Sequence, residues 1–191
     1  MKQRTLLSLL IILFVVLADQ CIKHAVMDNM MLYERVVVTP WFHLLYTQNQ
    51  GMAFGMSFFG TWLLALLRIC AIAGFGWYLV RCIRRHYPMG FIVCIAMVIA
   101  GALGNIIDNV LGYGTGQWLN GHVTDMFYFP LFQWPDWVPL LGGNTFFGAV
   151  FNFADASISC GAIALIIFYH KFMTRNTVKP PASISYRQIN N

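Results

Sequence analysis

The chain has 191 residues, 59% of them hydrophobic and only 10% charged, and a mean hydropathy of +0.64. That balance excludes an ordinary soluble domain, in which about a quarter of the residues are Asp, Glu, Lys or Arg. The net charge of +5 comes from basic clusters flanking apolar runs, and it gives no reason to invoke nucleic acid.

Four windows, roughly 6–22, 58–80, 91–107 and 151–169, are apolar and near the ~20 residues a helix needs to cross a bilayer. The pattern predicts an α-helical polytopic membrane protein with four transmembrane helices. Residues 1–173 form one membrane domain, with outer segments over about 24–57 and 109–150, and 174–191 form a polar tail. Lys2 and Arg4 precede the first span, Arg81, Arg84 and Arg85 lie between the second and third, and Lys171, Arg175, Lys179 and Arg187 follow the fourth. The positive-inside rule therefore places both termini and the middle loop in the cytoplasm. Leu17-Ala18-Asp19-Gln20 ahead of Cys21 fits no signal-peptide cleavage site, so the first helix is expected to be retained. The five cysteines are odd in number and lack CxxC spacing, so neither disulfides nor a metal site is expected.

In chain order, Asp19 and Lys23 stand four apart on one helical face, acid first. They are expected to pair at the interface, with Lys23 snorkelling outward, or to brace a site from behind. Arg35 to Thr39 and Trp41 to Tyr46 are β-branched and aromatic runs broken by Pro40, which suggests short strands. Asn49-Gln50-Gly51 marks a turn, and the apolar Met52-Ala53-Phe54-Gly55-Met56 after it suits a membrane surface or a groove for an apolar substrate. Arg68 falls near the middle of the second window and needs an acid or backbone carbonyls as partner.

The third window ends in Ala100-Gly101-Ala102-Leu103-Gly104-Asn105-Ile106-Ile107-Asp108. Its glycines offer a face for close helix packing, and Asn105 and Asp108 project on one side, where they can fix the helix end. His122 to Phe129 alternates around Asp125 like a short strand, while the prolines and glycines of 130–150 read as loop. Tyr113, Trp118, Tyr128, Trp134 and Trp137 are amphipathic aromatics suited to headgroup depth.

Phe151-Asn152-Phe153-Ala154-Asp155 opens the fourth window and places a carboxylate in an apolar helix. Such an acid is costly, so it marks a functional site, or else an N-terminal acid favoured by the helix dipole. Asn152, three residues earlier, is placed to orient it.

Four blocks in order resemble the lipoprotein signal peptidase (signal peptidase II) family. They are Asp19-Gln20-Cys21-Ile22-Lys23, then Asn49-Gln50-Gly51-Met52-Ala53-Phe54-Gly55, then Gly104-Asn105-Ile106-Ile107-Asp108 with Val123-Thr124-Asp125, and Phe151-Asn152-Phe153-Ala154-Asp155. The resemblance runs from the first helix through the fourth. It implies four helices with a small extracytoplasmic β-rich cradle in the bacterial inner membrane. It also implies an aspartic endopeptidase without cofactor or metal that cleaves lipid-modified prolipoproteins just before the diacylglyceryl cysteine. By the same resemblance Asp125 and Asp155 are catalytic. Asp19, Lys23, Asn49, Gly51, Asn105, Asp108, Asn152 and Ala154 occupy supporting or substrate-binding positions. Two features depart from the family: Asn109 stands where Arg usually follows the acid matching Asp108, and the outer segment around Asp125 is enlarged.

Two carboxylates suffice for amide hydrolysis if one is ionised and one protonated. Membrane lipid and the prolipoprotein are the expected partners, and a monomer the expected state. Asn49 and Asn152 are expected to hold the substrate backbone, with Met52, Ala53, Phe54 and Met56 against its side chains or lipid. A small ion- or proton-coupled transporter is the alternative, and it would favour midplane acids and an internal repeat.

Overall fold

The computed structural model describes residues 1–49 and 60–177. Four helices, α1 (Lys2–Asn29), α2 (Gly60–Arg84), α3 (Met89–Leu111) and α4 (Phe153–Thr177), each contain a stretch long and apolar enough to span a bilayer. Between them lie β1 (Arg35–Thr39), β2 (Phe42–Asn49), β3 (Val123–Tyr128), β4 (Phe132–Gln133), β5 (Thr145–Phe146) and β6 (Val150–Phe151).

α3 is the central helix. Of its most apolar window 61% is buried, against 17% in each of the other three. The cause is its small residues, because in lipid helices associate by close packing and not by hydrophobic exclusion. A Cβ at Gly101 would stand 2.3 Å from the Ala154 carbonyl oxygen, and one at Gly104 2.7 Å from Asp19 Oδ2 and 3.0 Å from the Ala154 Cβ. These two positions let α4 and α1 close on α3 at the level where the polar residues gather. The leucines and phenylalanines left exposed on α1, such as Leu6, Leu10, Leu13 and Phe14, are the surface a bilayer covers.

At one end of the bundle Leu79, Cys82, Ile83, Phe91, Ile92, Ile95 and Ile99 form the apolar core of α2 and α3. Arg4 Nε donates to the Tyr87 carbonyl there, 3.3 Å away, and Phe172 packs on Phe91. The start of α1, the α2–α3 turn and the end of α4 therefore share this end, together with the basic residues Arg81, Arg84 and Lys171.

The opposite end carries an antiparallel sheet in the order β1-β2-β3-β6. Strand alternation splits β3 into two faces. Met126 packs with Val26 of α1 and Tyr46 of β2, and Asp125 and Phe127 fall on the alternate face, with Phe127 also touching that cluster. On that second side Phe42, Phe127, Phe129 and Phe151 form a continuous aromatic layer, with Phe42 and Phe129 4.9 Å apart between ring centroids.

Several sequence expectations change. All four helices run past the windows at their inner ends, and α3 continues through Asn109 to Leu111, where Gly112 (φ 73°) ends it with a left-handed cap. α4 extends to Thr177, beyond the tail boundary expected at 174, and residues 178–191 lie outside the described residues. Phe151 belongs to β6, so α4 begins two residues later than its apolar pattern does. The region 130–150 is not all loop, because β4 and β5 pair as a small separate sheet with Phe132 stacked on Phe146.

Candidate active site

Asn152 organises the end of α4. It is the residue before the helix; its Oδ1 accepts from the Asp155 N–H at 2.9 Å, and Asp155 Oδ2 accepts from the Asn152 N–H at 3.4 Å. This is a reciprocal capping box with an acid at the third helical position. Asp155 is thus in the first turn of α4, and the helix-cap reading of this acid describes its local geometry correctly. The cap also holds the carboxylate still. Asp155 Oδ1 accepts a second bond, from Asn105 Nδ2 at 2.7 Å.

The Asn152 amide turns toward β3. Its Nδ2 lies 2.6 Å from Asp125 Oδ1, 3.2 Å from the Thr124 carbonyl and 3.1 Å from Asn105 Oδ1. Two N–H groups thus face three acceptors, and the amide is fully buried. Both N–H groups are thus turned to acceptors within the protein, the Asp125 carboxylate among them. Asn49, at the exposed end of β2, hydrogen-bonds the Asp125 carboxylate. The pair Thr47↔Asp125 and Asn49↔Val123 in the β2–β3 ladder sets that reach.

Asp125 is 2% exposed. Burial, and next the neighbouring Asp155 charge, raise its pKa from 3.8 to about 7, against smaller opposing effects of Asn49, Asn152 and Lys23. The folded chain therefore holds this proton more tightly than the unfolded chain does. The stabilisation this brings is complete below pH 3.8 and is lost as the pH rises through about 7.

Beneath the pair lies a second polar layer. Lys23 is fully buried and does not snorkel, contrary to expectation. Its ammonium reaches Asp108 Oδ2 at 2.7 Å, Asp19 Oδ2 at 2.9 Å and Asn105 Oδ1 at 3.1 Å, which uses all three donors. Snorkelling would exchange three charge-assisted contacts for water and leave two carboxylates bare in an apolar bundle. Asp19 Oδ1 also accepts the Ala154 N–H at 2.9 Å, and Asp108 Oδ2 the Thr124 N–H at 3.1 Å. One lysine thus ties together the starts of β3 and α4, the elements that carry the two acids. Ala154, fully buried against Gly104, has no room for a larger side chain.

The structure therefore brings Asp19, Lys23, Asn49, Asn105, Asp108, Asp125, Asn152, Ala154 and Asp155 into one network, while Gly51, Met52, Ala53, Phe54 and Met56 lie outside the described residues. Among the described residues no buried side-chain nitrogen or oxygen lacks a partner. Sequence reasoning passed over Gln20, whose Nε2 lies 3.0 Å from Asp108 Oδ1 and 3.1 Å from the Gly104 carbonyl. It also passed over Thr124. An amide side chain in an apolar helix is itself a signal, because it must find partners inside the protein.

The chain is similar to known proteins over most of its length. The family model described as Signal peptidase (SPase) II matches residues 11–171. A lipoprotein signal peptidase of Porphyromonas gingivalis is 38% identical over 88% of this chain and 84% of its own length. One from Chlorobium phaeobacteroides is 31% identical over 84% and 94%. A bacterial membrane enzyme solved by the in meso method at 2.3 Å superposes with a TM-score of 0.66 at 26% identity, covering 91% of this chain and 93% of that one. With the polar network seated on its four motif blocks and the match spanning all four helices, this chain belongs to the signal peptidase II family.

Proposed function

We propose that this protein is an aspartic endopeptidase that removes signal peptides from diacylglyceryl-modified prolipoproteins, cutting just before the lipidated cysteine. The observation that carries this reading is the pair Asp125 and Asp155 gripped by one buried residue, Asn152, with Asp125 holding its proton to about pH 7. Like charges in one site cannot both ionise readily, so the pair shares a proton. The ionised carboxylate takes a proton from water as its oxygen attacks the scissile carbonyl, while the protonated one donates to the carbonyl oxygen. The tetrahedral gem-diol then collapses: the C–N bond breaks as the cysteine nitrogen takes a proton from the pair, one gem-diol hydroxyl returns its proton to the pair as the C=O re-forms, and the signal peptide leaves as a carboxylic acid that ionises in solvent. The roles belong to the pair and not to either aspartate alone.

The basic residues at the bundle end opposite the sheet support cytoplasmic termini and an extracytoplasmic site in the bacterial inner membrane. The acyl chains would stay in lipid while the extended peptide enters beside β2 and the aromatic layer. The direct test incubates the purified protein in detergent with a synthetic diacylglyceryl precursor peptide and weighs the products. Fragments ending immediately before the modified cysteine are expected; no cleavage, or cleavage elsewhere, would refute the assignment.

Asn49 is the exposed amide beside the pair, and its loss should act on the pair as well as on substrate binding. Its hydrogen bond favours the ionised Asp125. Asn49→Ala should therefore raise KM and also move the alkaline limb of the activity profile upward by about half a unit to one unit. Unchanged kinetics on a lipidated precursor would remove Asn49 from the site.

A further inference from the structure

Arg68 lies three residues into the apolar stretch Ala65–Arg84 of α2, on the sheet side of the helix's middle. It is half-buried, and its Nη1 donates to Asn109 Oδ1. Asn109 is 2% exposed and grips Gly121 twice: its Nδ2 donates to the Gly121 carbonyl at 2.6 Å, and its own carbonyl accepts the Gly121 N–H at 3.0 Å. Gly121 stands two residues before β3, the strand that carries Asp125. A guanidinium this deep in an apolar helix is costly unless something inside the bundle uses it.

Charge balance identifies what uses it. Asp19, Asp108, Asp125 and Asp155 gather at this end, and the described direct ion pairs to them come from Lys23 alone. Four carboxyl groups thus gather against one lysine. Arg68 faces them from α2, acting electrostatically on Asp155, Asp108 and Asp125. We propose that Arg68 is a positioning residue for the aspartyl pair: through Asn109 it fixes the turn into β3, and its charge stabilises the ionised carboxylate of the pair. In this chain the second cation of the site is thus supplied from α2, while position 109 carries a neutral amide.

The inference rests on the dyad reading, and the test separates the two. The kcat/KM of purified Arg68→Gln, Arg68→Lys and the double variant Arg68→Gln with Asn109→Arg is followed against pH on a lipidated precursor. Losing the cation makes the pair hold its proton more tightly, so Arg68→Gln should shift the alkaline limb upward by about half a unit or more. Arg68→Lys should keep the parental limb, and the double variant should restore it by returning the charge through α3. A parental profile in Arg68→Gln, or an equal shift in Arg68→Lys, overturns the role of Arg68 even while the aspartate variants stay inactive. A double variant with parental thermal stability that retains the shifted limb does the same.

Discussion

Asp125→Asn and Asp155→Asn should each lower turnover of a lipidated precursor by about 10⁴-fold or more while leaving the fold intact, since general acid–base catalysis alone contributes up to about that factor. The fold should survive because each amide keeps the acceptor its neighbours need. An Asn at 125 still offers an oxygen to Asn152 Nδ2, and an Asn at 155 keeps one oxygen for the short bond from Asn105 Nδ2, giving up only the 3.4 Å bond from the Asn152 N–H. Neither can exchange a proton with water or with the substrate carbonyl. Asp108→Asn is the control. Asp108 is fully buried but binds Lys23, Gln20 and the Thr124 N–H, so its loss should reduce stability and activity without eliminating the chemistry. Near-normal turnover in either dyad variant, measured on protein with an unchanged thermal midpoint, would overturn the assignment.

Lys23→Met should be the most destabilising single change in the protein. It leaves Asp19 and Asp108 buried without a counter-charge, and removing one partner from a buried ion pair costs about 3–5 kcal/mol. It also frees the ties from Asp19 to the Ala154 N–H and from Asp108 to the Thr124 N–H, so α4 and β3 lose their common anchor. Adding Asp19→Asn and Asp108→Asn should recover much of the loss, because the uncompensated charges are then gone. Thermal unfolding in detergent reads both effects. A Lys23→Met protein as stable as the parent would mean that the buried layer carries little of the fold.

The four spans were legible because a bilayer demands long apolar runs, and β1 and β2 because Pro40 breaks two β-branched and aromatic runs. Helix ends were not, since Lys23 to Asn29 on α1 and Asp108 to Leu111 on α3 include polar and charged residues whose helical state depends on partners elsewhere in the chain. The strand around Asp125 was visible from its alternation, whereas β4 and β5 are two-residue strands with no room for a period. Motif spacing was enough to pick out the acids and amides. It could not say that the Asn152 amide turns to Asp125, nor that Lys23 points inward, because both depend on side chains from other elements meeting at one level.

The account stands most directly on the pH dependence of kcat/KM for the unaltered protein acting on a lipidated precursor in detergent. If Asp125 and Asp155 share one proton, activity should pass through a maximum and fall on the alkaline side with the loss of a single proton near pH 7, where burial and the Asp155 charge place Asp125. A rate that instead rises through neutrality to an alkaline plateau, as a deprotonated serine, cysteine or lysine nucleophile would give, would contradict it.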